Sequence, residues 1–202
     1  MSAGVYVALS RLGRVVRTGE AAAALKTSLS QASHSLRRLE RQGLARSIRR
    51  GLWVIGSDPV DPRTLIEDIT RPYSAYLSFL SALNAHGVID QLPRTISVAS
   101  LRGASRVKTA LATYEIHHIP ASLFGGWVER NGIKMAGIEK ALFDLAYVSA
   151  AHRARQRHVP ELDLPRRFKR AELNRWLARI DSTRVRTLTE RGLRQMLQRA
   201  VR

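Results

Sequence analysis

The chain has 202 residues, 45% of them hydrophobic, with 34 Lys and Arg against 16 Asp and Glu, a net charge of +18 and no cysteine. The apolar share supports a folded core and excludes a disordered tail. The lack of cysteine excludes disulfides, thiol nucleophiles and cysteine-based metal sites, and the basic surplus asks for a polyanionic partner or surface.

The charge is unevenly placed. Residues 1–55 carry +8, residues 56–151 are neutral and residues 152–202 carry +10, which is not the distribution of a uniformly supercharged protein. The apolar run at the N-terminus is too short for a signal peptide and lacks a cleavage site. No stretch has the length of a membrane span; even the apolar segment around Tyr76–Leu83 contains serines. These features set the expectation of a cytoplasmic protein with no membrane partner.

In chain order, Ser2 to Leu12 reads as a helix ended by Gly13, and Arg14 to Arg17 as a short strand. Thr18 is placed as the N-cap of a second helix, with Glu20 in its first turn and Ala21–Leu25 strongly helical. Lys26-Thr27 makes a tight turn into Ser28. Ser28 and Gln31 form a capping box, and Gly43 suits the position after a helix end, so a third helix is predicted from Leu29 to Gln42. Its apolar stripe is Ala32, Leu36 and Leu39. At about 100° per residue, Ser30, His34, Arg37 and Arg41 fall on the opposite face, flanked by Arg38. Leu44–Ile48 and Leu52–Ile55 are β-prone runs joined by Arg49-Arg50-Gly51.

Helix, turn, capped basic helix and basic hairpin together read as a winged helix-turn-helix over residues 1–55. In such an arrangement the helix enters the major groove and the wing touches phosphate or minor groove. The plainer alternative is a helix and hairpin whose charged face is merely solvated.

Gly56 to Pro62 holds two prolines and a glycine in seven residues and is read as a linker over 56–64. Residues 65–202 form the second domain. It contains a short helix at Leu65–Ile69, a buried helix from Ser74 to His86, strands at Thr95–Ala99 and Tyr114–Ile119, and a hairpin, Trp127–Arg130 and Ile133–Ala136, turned by Asn131-Gly132. A helix follows at Ile138–Tyr147, then an Arg-rich loop from His152 to Phe168 and amphipathic helices at Arg170–Ile180 and Arg184–Val201. The fold class is α+β. The basic C-terminal region is either a polyanion-binding surface or a solvated helix face.

Residues for catalysis do not assemble. Neither a P-loop nor a dinucleotide-binding glycine pattern occurs, and no serine sits in a G-x-S-x-G elbow. His117 and His118 are neighbours in a strand, so their rings point to opposite faces and cannot share a metal; His117 shares its face with Glu115. His86 and Asp90 flank a helix end, where capping accounts for them. Glu139 and Asp144 diverge on their helix. The chain is accordingly read as no enzyme, with no cofactor and no metal site.

Several segments in this order resemble the AbiEi-type antitoxin family: R-R-G-L-W-V-I in the wing, a proline linker, Y-L-S-F-L-S-A-L-N-A-H-G-V-I-D-Q-L-P, I-S-V-A-S, and G-I-E-K-A-L-F-D at Gly137–Asp144. The part from Ala82 to Pro93 is the most specific, and the resemblance covers roughly residues 14–147. It implies a bacterial antitoxin of a type IV toxin–antitoxin system. Such a protein pairs functionally with a nucleotidyltransferase toxin and represses its own operon by binding double-stranded DNA, at inverted repeats in its promoter. Carried over by position, Ser30, Gln31, His34, Arg37, Arg38 and Arg41 would contact DNA from the helix, and Arg49 and Arg50 from the wing. A homodimer on DNA and location at the nucleoid follow from that reading. The alternative is a stand-alone winged-helix regulator whose second domain dimerises or senses a ligand.

Overall fold

The N-terminal helices and strands gather around one apolar cluster whose members run from Leu9 to Ile55. The computed structural model describes residues 2–151 and 160–201. The chain divides into two compact units: Met1–Asp68 with Lys108–Ala112, and Ile69–Val107 with Thr113–Arg202. The fold is α+β, with helices and sheets in both units.

In the first unit, helices α1 (Ser2–Ser10), α2 (Thr18–Leu25) and α3 (Leu29–Arg41) pack with strands β1 (Val15–Arg17), β2 (Ala45–Arg49) and β3 (Leu52–Ile55). The strands form an antiparallel sheet in the order β1-β3-β2, with Val15 opposite Val54 and Ala45 opposite Ile55. Leu9, Val16, Ala21, Ala32, Leu36, Leu39 and Trp53 are buried together at the centre. The N-cap of α2 is Arg17, not Thr18 as expected: Glu20 accepts the Arg17 N–H at 2.8 Å. The Thr18 hydroxyl is engaged elsewhere, accepting from the Trp53 indole N–H at 3.0 Å.

Two helix ends in this unit close in the same way. After α3, the Leu44 N–H reaches the Leu39 carbonyl and the Gly43 N–H the Glu40 carbonyl, with Gly43 at φ +71°. After α2, the Thr27 N–H reaches Ala22 and the Lys26 N–H reaches Ala23, with Lys26 at φ 53°, ψ 45°. Both are Schellman closures, in which the left-handed residue lets the chain turn back on the last carbonyls. One uses glycine; the other forces a lysine into that conformation.

The residues expected as a linker, 56–64, lie within the first unit. Arg14 donates to the carbonyls of Asp58 and Pro59 at 3.2 and 2.8 Å, and Arg17 donates to the carbonyl of Asp68 at 2.7 Å. A 3₁₀ turn at Pro62–Leu65 runs into α4 (Ile66–Thr70). Residues 108–112 join the same unit, the Ala110 N–H donating to the Ile48 carbonyl of β2 at 2.9 Å.

The second unit holds a six-stranded mixed sheet in the order β6-β7-β5-β4-β9-β8. Its strands are β4 (Ala75–Leu77), β5 (Ile96–Ser100), β6 (Ser105–Lys108), β7 (Thr113–His118), β8 (Trp127–Arg130) and β9 (Ile133–Ala136). Asn131 and Gly132 both take positive φ, 52° and 72°, as a two-residue type I′ turn requires. Four helices accompany the sheet: α5 (Phe79–Ala85), α6 (Ile138–Ala151), α7 (Arg170–Ala178) and α8 (Thr183–Gln198). Helix α6 packs against α5, α7 and α8 and is buried on most sides. Leu162–Asp163 (β10) and Ala200–Val201 (β11) form a short parallel pair.

The predicted single helix from Ser74 to His86 is in fact two elements. Ala75, Tyr76 and Leu77 form a strand paired with Ser100, Ala99 and Val98, and the helix begins only at Phe79. Phe79 takes φ +55°, which turns strand into helix directly after Ser78. Leu77, Leu80 and Leu83 have helical spacing, but β-pairing on both sides of Tyr76–Leu77 outweighs local propensity. The edge strand β6 lies outside the predicted elements. Of the expected loop from His152 to Phe168, residues 152–159 lie outside the described residues, and the last helix stops at Gln198.

Candidate nucleic-acid interface

Helix α3 owes its start to Ser28, whose Oγ accepts the Gln31 N–H at 3.2 Å while Gln31 Oε1 accepts the Ser28 N–H at 3.1 Å. Ala32, Leu36 and Leu39 are buried against the unit's core. The polar side chains therefore have one direction left. Ser30, His34, Arg37 and Arg41 fall within about 60° of one another around the helix, opposite that stripe, and all four are exposed. Arg38 and Gln31 flank them and are exposed too. The Gln31 amide oxygen is held in the cap.

The one acid of α3 is turned aside. Glu40 Oε1 accepts the Ser47 N–H of β2 at 2.8 Å, so the carboxylate is directed to the hairpin. This ties helix to strand and removes a negative charge from the arginine face. In the hairpin, the register shifts between Ser47 and Arg49, and the chain turns through Arg50 and Gly51. Arg46, Arg49 and Arg50 are exposed there. The structure thus brings the six helix residues onto one surface of α3 and places Arg49 and Arg50 at the hairpin tip. Chemically Arg37, Arg38, Arg41, Arg49 and Arg50 are charge-assisted donors, with Ser30, Gln31 and His34 offering further hydrogen bonds, a set suited to phosphate and base edges.

The second unit carries a polar site that the sequence reading missed. Asp144 on α6 is fully buried, as are Tyr76 and Ser78. Its carboxylate accepts from the Tyr76 hydroxyl at 3.0 Å and from the Ser78 hydroxyl at 2.7 Å, and it pairs with the Lys140 ammonium. That ammonium also stands 4.5 Å from the centre of the Trp176 ring and 5.1 Å from that of Phe143. Burial pushes the Asp144 carboxyl up and pulls the Lys140 ammonium down, each opposed by the other's charge. Burial, and then the Asp144 charge, raise the Tyr76 phenol. The network ties the β4 end of the sheet to α6. The i,i+4 spacing of Lys140 and Asp144 was the available signal, but it is also the spacing of an ordinary surface pair.

Beside Lys140 lies a cleft of about 390 Å³, lined by His86, Gly126, Phe168, Lys169 and Trp176 among others. His86 caps α5 as expected, and its Nε2 sits 2.8 Å from the Ala136 carbonyl. Glu139 accepts the Lys169 N–H at 2.8 Å, away from Asp144. His117 packs on the Phe79 ring, the two centres 4.4 Å apart. Glu115 accepts from the Thr95 hydroxyl. Among the described residues, no three His, Cys, Asp or Glu side chains gather where they could hold a metal, and no helix is long and apolar enough to cross a membrane.

No protein-family model matches the chain, and no curated protein matches it either.

Proposed function

We propose that this chain is a DNA-binding transcriptional repressor of the winged helix-turn-helix type, and that it doubles as the antitoxin of a type IV toxin–antitoxin pair. The observation that carries the first half is the outward face of α3, with Ser30, His34, Arg37 and Arg41 aligned opposite a buried stripe. Around it, α2, the Lys26 turn, α3 and the β2–β3 hairpin follow the order of a helix-turn-helix with a wing. Arg37 reads base edges; Arg49 and Arg50 hold phosphate. One such unit spans only a few base pairs, so operator specificity comes from two copies on an inverted repeat in the chain's own promoter, with half-sites about 34 Å or a multiple apart.

The antitoxin half rests on the AbiEi resemblance. The two segments that carry it, Ala82–Pro93 and Gly137–Asp144, meet in the second unit: α5 packs on α6, and His86 bonds the Ala136 carbonyl. The partner is a nucleotidyltransferase toxin encoded next to this chain. A stand-alone regulator whose second unit senses a ligand is the other reading, favoured by the cleft beside Lys140.

Titration against the upstream duplex tests the first half. Arg37→Ala should weaken operator binding by about 1–3 kcal/mol and relax discrimination at one base position. Arg50→Ala should weaken native and scrambled duplexes alike and lower the salt slope by about 0.9. Wild-type affinity and salt dependence in both variants would reject the interface. Co-expression with the adjacent nucleotidyltransferase gene tests the second half: growth restored by the chain supports the antitoxin, and no rescue by a well-folded chain leaves the stand-alone regulator.

A further inference from the structure

Helix α8 repeats, in the second unit, the pattern seen on α3. Ser182 caps it, its Oγ accepting the Val185 N–H at 3.4 Å. Thr189, Leu193 and Met196 are buried. At about 100° per residue, Arg184, Thr187, Arg191, Arg194, Gln195 and Gln198 lie opposite that stripe, within about 100° of one another. All six are exposed. Glu190, at the border, is the only acid in α8. It pairs with Arg194 at 3.0 Å, both side chains being more than half exposed (54% and 70%), so the pair is weak and easily exchanged. Arg184 and Arg191 have no carboxylate partner among the described residues. Arg186 differs, since its guanidinium is used inside the unit, donating to the Ile180 carbonyl at 3.0 and 2.6 Å.

Apart from Glu190 at its border, the face carries charge of one sign. It offers guanidinium forks and neutral hydroxyl and amide groups, which are the groups that hold phosphate oxygens. It has no apolar residue to anchor in a lipid surface. From Arg184 to Gln198 the row is about 21 Å long at 1.5 Å per residue, the rise of about six base pairs.

We infer that the exposed face of α8 is a second binding surface for duplex DNA, on which Arg184, Arg191 and Arg194 hold backbone phosphates without regard to sequence. The inference rests on the reading of the chain as a DNA-binding protein and extends it. Sequence is read by α3, and α8 adds affinity that salt removes.

The test uses the full chain carrying Arg184→Gln, Arg191→Gln and Arg194→Gln together, with the three Arg→Lys changes as a charge-keeping control. Binding to the native upstream duplex and to a scrambled duplex is followed by fluorescence anisotropy between about 50 and 200 mM salt. Three lost phosphate contacts lower the log–log salt slope by about 2.7, so the same rise in salt costs the variant roughly 40-fold less affinity than wild type. Both duplexes weaken by the same factor, and the Lys variant keeps the wild-type slope. An unchanged slope in the Gln variant overturns the inference, as does a loss confined to the native duplex. Arg37→Ala run in parallel separates the two claims. If it loses discrimination while the α8 variant binds as wild type, only the α8 surface falls. If wild type binds neither duplex, the DNA-binding reading falls and this inference with it.

Discussion

Helices α3 and α6 place charges at the same spacing and use them in opposite ways. Arg37 and Arg41, four residues apart, stand in solvent opposite a buried stripe of three apolar residues. Lys140 and Asp144, also four apart, are buried with Tyr76 and Ser78, the Lys140 ammonium lying against the half-buried Trp176 ring. The difference comes from what surrounds each helix. Helix α3 has one covered side and spare arginines, whereas α6 is covered on most sides, so a charge there must bring its own partner. Charge content alone therefore does not say whether a helix's charges face solvent or the core; the angle between the charges and the stripe does.

Breaking the buried pair should give the largest effect. Asp144→Asn leaves the Lys140 ammonium without a counter-charge and should cost about 3–5 kcal/mol in urea unfolding. Lys140→Met added to Asp144→Asn should recover most of that loss, because no charge is then left unpaired and the amide oxygen still accepts from Tyr76 and Ser78. A single substitution costing under about 1 kcal/mol would mean that the ammonium finds solvent and that the contrast with α3 is overstated. The pH profile sharpens the point. Burial raises the Asp144 carboxyl, so its contribution is full below the ordinary carboxyl range and is lost as pH rises through its folded value. Burial lowers Lys140, so its contribution is full above the ordinary lysine range and is lost as pH falls through its folded value. The double variant lacks both and should show the flatter profile.

The opposite behaviour is expected of α3. Arg37→Ala, which should weaken operator binding, should leave stability within about 0.5 kcal/mol of wild type, because an exposed surface position supports no packing. A large drop in unfolding midpoint would make Arg37 a structural residue. Ser28→Ala removes the cap and should cost about 1 kcal/mol, read as a lower thermal midpoint with the same unfolded baseline. Smallest of all, Lys26→Gly relieves the left-handed lysine before α3 and should raise stability by at most about 1 kcal/mol, partly offset by the entropy of the added glycine. A loss of stability there would show that the lysine stem packs usefully in the turn.

Legibility in the chain alone divides along the same line. The start and end of α3 were legible because Ser28, Gln31 and Gly43 act through neighbours three to five residues away. The Asn131-Gly132 hairpin was legible for the same reason. The Tyr76–Asp144 and Ser78–Asp144 bonds span 68 and 66 residues, and nothing local announces them. The strand Ala75–Leu77 was hidden likewise: its partners Val98–Ser100 and Met135 are far along the chain, while Leu77, Leu80 and Leu83 imitate a helical stripe. The use of the Thr18 hydroxyl by Trp53 also depends on a residue 35 positions away, and a cap was the natural local guess.

The bond from Ser47 to Glu40 has a further consequence. It adds a polar tie between the hairpin and the last turn of α3, where Ala45, Trp53 and Ile55 already share a core with Leu36 and Leu39. On the proposed reading, in which helix and hairpin grip one duplex, docking would then have less hairpin freedom to freeze. Weakening that tie would leave every arginine in place and, on the same reading, still loosen the grip.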